Sequence, residues 1–167
     1  YLRDRVVEGL GLLYDMHWPF KQYRTSRGLR TSPLHERLVS AGACFGEAAG
    51  WERANWYAPP GVEPVYKYSY GRQNWFEYSA AEHKAVRENV GVFDQTSFLN
   101  FLMQGQDAVR VLNRVCGNQM DVPIGKVVYT QLLNERGGIE ADVTVSRLSE
   151  DMFMIVDACW QQTKTSY

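Results

Sequence analysis

Two acids, Glu140 and Asp142, enter a strand-like run just past a glycine pair in the stretch LLNERGGIEADVTVSRL, residues 132–148. In an extended segment side chains alternate between faces, so Ala141, Val143 and Val145 share one side and Glu140, Asp142, Thr144 and Ser146 share the other. A carboxylate on the polar side, next to glycine-rich backbone that a ligand can approach closely, is able to take a proton or accept a hydrogen bond. Tyr129, in the preceding run KVVYTQLL, reaches the same neighbourhood by hairpin register. An ordinary solvated strand face has the same pattern, so spacing alone leaves both readings open.

Other chemistries find no template. His17, His35 and His83 are scattered and form neither HxH nor HExxH, so no metal site is expected. There is no GxSxG to present a nucleophile and no GxGxxG or Walker loop to cradle phosphates. Cys44, Cys116 and Cys159 are widely spaced and odd in number, which suits buried free thiols in a reducing compartment. Eighteen basic against nineteen acidic residues give a net charge of −1, so no global field draws the chain to nucleic acid or an anionic membrane. No apolar run approaches the roughly 20 residues of a membrane helix, and a soluble protein is expected. The chain opens on YLRDRVVEGL rather than on Met, which reads as a piece of a longer protein.

The elements that must position the acids follow from periodicity. Leu2, Val6, Leu10 and Leu13 predict a short amphipathic helix that docks through that face. The basic segment WPFKQYRTSRGLRTSP reads as an extended connector, and SPLHERLVSAG as a helix with Ser32 as cap, Pro33 at its first position and Gly42 past its end. Residues 51–78 are rich in Trp and Tyr around the turn cluster APPGVEP, and a boundary between two units is expected there. SAAEHKAVRENVG predicts a helix capped by Ser79, VFDQTSFLNFLMQG a strand, and QDAVRVLNRVCG a helix closed by Gly117. KVVYTQLL and IEADVTVSRL flank NERGG as a hairpin, and DMFMIVDA adds a third strand. The fold class is therefore α+β, with helices packed on one face of an antiparallel sheet.

EHKAVRENVGVFDQTSF together with KVVYTQLLNERGGIEADVTV resembles the aminomethyltransferase, or glycine-cleavage T-protein, family. The upstream LRTSPLHERLVSAGACFGEAAGWERANWY resembles the central domain of dimethylglycine and sarcosine dehydrogenase-like flavoproteins. The joint resemblance implies a fragment: residues 1–58 from the central domain of an FAD-dependent oxidoreductase, 59–74 a linker, and 75–167 the N-terminal part of a folate-binding domain. It implies FAD in a preceding domain that oxidises an N-methyl amine, and tetrahydrofolate in this region to take up the one-carbon unit as 5,10-methylenetetrahydrofolate.

In that family the acid following the Gly pair lies beside tetrahydrofolate and assists the transfer. Asp142 matches it as the catalytic residue, and Tyr129 together with Asp142 as the cofactor-binding pair. Ala141 stands where many T-proteins carry a first, adjacent acid. The resemblance also implies an electron-transfer flavoprotein or oxygen as electron acceptor, and a cytoplasmic location in a bacterium or the mitochondrial matrix in a eukaryote. A non-catalytic subunit of the same layout, like the regulatory subunit of pyruvate dehydrogenase phosphatase, and a stand-alone aminomethyltransferase are the alternatives.

Overall fold

The structure is a computed structural model of the 167-residue chain, in which residues 2–15 and 21–161 are described; His17 lies outside them. The chain divides into two compact units, residues 1–97 and 98–167.

In the first unit, helix α1 (Leu2–Tyr14) is followed by the connector, helix α2 (His35–Ser40), strands β1 (Ala43–Ala48) and β2 (Trp51–Tyr57), and helix α3 (Phe76–Glu88). The β1–β2 hairpin was not anticipated from sequence. It turns on Ala49 and Gly50, both at positive φ (50° and 82°), and carries a register shift between Cys44 and Phe45. Cys44, Trp56 and Ala58 form its buried core, against which Val62, Tyr66, Trp75 and Tyr78 pack. Trp56 stacks on Tyr78 of α3 with ring centroids 5.7 Å apart. The aromatics of residues 51–78 thus build the core of this unit.

Both predicted caps shift. Ser32 does not cap α2, which begins at His35; its hydroxyl instead accepts the Leu34 N–H and donates to Asp94 Oδ2. Ser79 lies inside α3, which begins at Phe76 because Gln73 closes a turn onto the Phe76 N–H. The connector is held by charge: Arg27 donates to both oxygens of Glu52, Gly28 N–H donates to Glu52 Oε1 at 2.7 Å, and Lys21 pairs with Asp15. Burial works to raise the Glu52 pKa, but the bonds from Arg27 and Gly28 and the Arg27 charge hold it below its ordinary value.

The second unit holds strand β3 (Leu99–Gln104), helix α4 (Ala108–Val115), and strands β4 (Val127–Leu133), β5 (Ile139–Arg147) and β6 (Met152–Asp157), ending in a short 3-10 turn. The sheet is antiparallel throughout, in the order β3-β6-β5-β4. One face carries Ala141, Val143, Val145, Phe153 and Ile155, buried against Ala108, Leu112 and Cys116 of α4 and its C-terminal cap, and against Met120. This is the α+β arrangement expected. Gly117 does not close α4; its N–H donates to the Gln131 carbonyl and ties the following loop onto β4. The three cysteines are buried free thiols, and burial pushes the Cys116 thiol up to about 11.

Candidate functional site

Strand parity decides which acid faces where. Ala141 is 4% exposed in the core, so an acid there would point at α4, whereas Asp142 stands on the open face of β5. In the β4–β5 ladder Gln131 lies opposite Asp142 and Tyr129 opposite Thr144, which makes Tyr129 and Asp142 diagonal neighbours on one face. The Tyr129 hydroxyl donates to Asp142 Oδ2 at 2.8 Å. The two residues nominated from sequence are therefore brought together, on the exposed side, with the Tyr129 ring 57% accessible.

The hydrogen bond to Asp142 raises the Tyr129 pKa, a rise that the Gln131 amide partly opposes. Tyr129 thus stays a protonated donor at neutral pH. Asp142 Oδ1 has no hydrogen-bond partner among the described residues, so it keeps lone pairs free for a ligand.

Glu140 plays a different part. Its carboxylate accepts a bond from Asn134 Nδ2 at 2.6 Å. The Asn134 side-chain oxygen in turn accepts the N–H groups of Arg136 and Gly138, and Gly137 takes φ +77° in the same turn. Asn134 locks the turn, and a register shift between Leu132 and Leu133 just beyond it puts Tyr129 and Asp142 on one face. Asn118 supports β4 from outside, donating from its side chain to the Tyr129 carbonyl at 2.8 Å and from its backbone to the Thr130 hydroxyl. Neither asparagine was singled out from sequence; NERGG signalled a turn but not which side chain would hold it.

The open face around the pair is partly apolar. Val127, 56% exposed, lies two residues from Tyr129 on the same face of β4. A flat heterocycle carrying amino and ring N–H donors fits such a set, an accessible ring plus an acceptor carboxylate beside aliphatic surface. Among the described residues there is no glycine-rich strand-to-helix turn of the kind that holds a dinucleotide pyrophosphate.

A second concavity lies within the first unit. It measures about 540 Å³ and is lined by Arg53, Tyr57, Glu82, Arg87, Phe93 and Ser97 among others. Glu82, one of its acids, is already committed to the Tyr57 N–H. Asp94, also in its wall, is committed to Ser32 and Thr96. The hairpin pair is the stronger candidate, because there a carboxylate held by Tyr129 through one oxygen and the Tyr129 ring are exposed side by side.

The GCVT N-terminal domain model matches residues 34–166. The chain belongs to this family. A second model, the FAD dependent oxidoreductase central domain, matches residues 1–32, so GWERANWY falls within the GCVT match. The chain is 51% identical over 166 residues to the 4-methylaminobutanoate oxidase (formaldehyde-forming) of Paenarthrobacter nicotinovorans, covering 99% of this chain and 20% of that protein. It is 36% identical to the mitochondrial pyruvate dehydrogenase phosphatase regulatory subunit of Mus musculus, over 97% of this chain and 19% of that one. It is 34% identical to the mitochondrial sarcosine dehydrogenase of Homo sapiens, over 89% and 19%.

The chain thus spans about a fifth of the length of the curated relatives it matches. Among solved structures, the glycine cleavage system aminomethyltransferase T from Bartonella henselae superimposes with a TM-score of 0.66 at 30% identity, covering 83% of this chain and 34% of that one. The GCVT fold therefore agrees with the helix-and-sheet arrangement described above. Among the described residues no helix is long and apolar enough to cross a membrane.

Proposed function

We propose that this chain is the junction between the oxidoreductase and folate-binding parts of a flavoenzyme that oxidatively demethylates an N-methyl amine. In this reading Asp142 and Tyr129 serve the transfer of the one-carbon unit to tetrahydrofolate, giving 5,10-methylenetetrahydrofolate. The observation that carries it is the 2.8 Å hydrogen bond joining Tyr129 to Asp142 on the open face of a GCVT-type hairpin. The order of the two family matches, and relatives named as an amine oxidase and a sarcosine dehydrogenase, support the oxidative part.

Tetrahydrofolate, when bound, supplies the amine that takes up the one-carbon unit. Asp142 accepts a hydrogen bond from Tyr129 at Oδ2 and keeps Oδ1 for a proton released from that amine. Its negative charge also favours positive charge developing nearby. Tyr129 contributes a ring face for a flat heterocycle and, through its hydroxyl, fixes the carboxylate's orientation. Asn134 and Asn118 keep the two strands in the register that this requires.

FAD belongs, in this proposal, to the preceding part of the parent protein, where the amine is oxidised. The division at residues 58 and 74 goes with the same proposal. The acceptor of the electrons is an electron-transfer flavoprotein for a dehydrogenase or oxygen for an oxidase. The enzyme is placed in the bacterial cytoplasm or the mitochondrial matrix. Dimethylglycine and sarcosine are the amines proposed first, with 4-methylaminobutanoate added by the 51% identical relative.

The likeness to a phosphatase regulatory subunit favours a second reading, in which the fold is kept for assembly without catalysis. Calorimetry of tetrahydrofolate with the full-length parent separates the two. The enzyme reading expects binding that weakens in Tyr129→Ala, and the regulatory reading expects no binding in wild type.

A further inference from the structure

Helix α1 is turned inside out. Its half-buried positions are Arg5, Glu8, Gly9 and Leu12, spaced by three and four residues as an inward face should be. Most of what they make is polar. Arg5 donates to Glu47 at 2.7 Å and to the Thr25 and Ser26 carbonyls, and it lies over the Tyr23 ring. The Glu8 carboxylate accepts the N–H groups of Arg24 and Thr25 and the Thr25 hydroxyl. The apolar stripe read from the sequence points the other way: Leu2, Val6, Leu10 and Leu13 are 73%, 56%, 56% and 77% exposed, and Val7 and Tyr14 widen it at 64% and 90%.

The polar bonds fix the rotation of the helix, so the stripe faces away from the described residues of the first unit. A continuous arc of six large apolar side chains, interrupted only by Arg3, is the composition of a covered interface rather than of a solvated surface. We propose that this face of α1 is a permanent docking surface whose occupant is the part of the parent polypeptide that precedes it, the remainder of the FAD dependent oxidoreductase central domain.

Three observations select that occupant. The central-domain model matches residues 1–32, a span that contains all of α1. The relatives that the chain matches over nearly its whole length are about five times longer, so there is polypeptide to supply the surface. A lipid surface fits poorly, because the polar side of α1 carries Asp4 and Glu8, and its Arg5 is already paired with Glu47. The inference rests on the family matches and the geometry of α1. It stands or falls separately from the folate site and applies to an enzyme and a regulatory subunit alike.

The test uses the full-length parent with two probes on the stripe. Single cysteines from Leu10→Cys and Leu13→Cys are reacted with N-ethylmaleimide in native buffer and in denaturant, the modified site being read by peptide mapping. In a second variant Tyr14 is replaced by a benzophenone-bearing phenylalanine and irradiated. The proposal expects native labelling about a hundredfold or more slower than in denaturant, since an interface thiol reacts only through local opening. It also expects cross-links to peptides that precede residue 1. Native labelling within about threefold of the denatured rate overturns it, as does a cross-linked dimer of two parent chains or a cross-link to any later segment.

Discussion

The Tyr129 hydroxyl and the Asp142 carboxylate are joined at 2.8 Å across a diagonal of the β4–β5 ladder, and that bond raises the phenol's pKa. Its removal should be visible without any assay of turnover. In Asp142→Asn the Tyr129 phenol is expected to titrate closer to its ordinary value of about 10. Ultraviolet difference titration of the full-length parent, with Tyr129→Phe as the subtraction, reads this directly. An unaltered Tyr129 titration in Asp142→Asn would count against the pairing.

Ring and hydroxyl have separable duties at position 129. Tyr129→Phe keeps the ring, so tetrahydrofolate binding should stay within about threefold of wild type, whereas Tyr129→Ala should weaken it about tenfold, the size of one aromatic contact. Calorimetry measures both. Equal losses in the two variants would mean that the hydroxyl, not the ring, makes the contact.

The hairpin turn is held by one side chain. Asn134→Ala leaves the Arg136 and Gly138 N–H groups without their acceptor and should loosen the turn by about 1–2 kcal/mol. Gly137→Ala, at φ +77°, should cost about 1 kcal/mol for a different reason, the strain of a Cβ in left-handed backbone. Hydrogen exchange across residues 134–142 should accelerate in both variants. Unchanged exchange in Asn134→Ala would show that the turn stands without it.

The connector should be sensitive to acid. Glu52, Glu8 and Asp94 all have pKa values below the ordinary range, so each contributes stability that is present above its unfolded value and lost as pH falls through the lower folded one. Hydrogen exchange over residues 21–30 should therefore rise as pH drops from about 5 to about 3, after correction for the intrinsic rate. Glu52→Gln should loosen this segment at neutral pH by about 2–3 kcal/mol, because Arg27 loses its charge partner. It should also flatten the acid response. A profile identical to wild type would assign the acid response to other groups.

What was legible in the sequence is the part governed by short-range pattern. The period-two alternation from Ile139 to Arg147, the glycine at positive φ in NERGG and the three-and-four spacing of Ala108, Leu112 and Val115 each name an element, and each is present. The neighbourhood of Tyr129 and Asp142 follows from the hairpin, but their shared face does not: a register shift between Leu132 and Leu133 moves β5 by one residue against β4, and without it Asp142 would stand opposite Thr130.

The missed features depend on distant partners. The β1–β2 hairpin hides among small residues and a register shift at Cys44/Phe45, and its Trp56 belongs to a core completed only by Tyr78, 22 residues on. Ser32 and Ser79 have the composition of caps. Ser32 is instead drawn to Asp94, and Ser79 lies inside a helix that starts at Phe76. The apolar stripe of α1 follows from its three- and four-residue spacing, but the polar bonds of Arg5 and Glu8 that turn it outward have no local signature.

The most direct test follows the methyl carbon of a labelled N-methyl amine, sarcosine, dimethylglycine or 4-methylaminobutanoate in turn, through the full-length parent in the presence of tetrahydrofolate. The partition between 5,10-methylenetetrahydrofolate and free formaldehyde is measured in wild type and in Asp142→Asn. The account predicts that wild type delivers label to folate and that Asp142→Asn diverts it to formaldehyde. Label reaching only formaldehyde in wild type, or the same partition in both proteins, would contradict a role for Asp142 in the transfer.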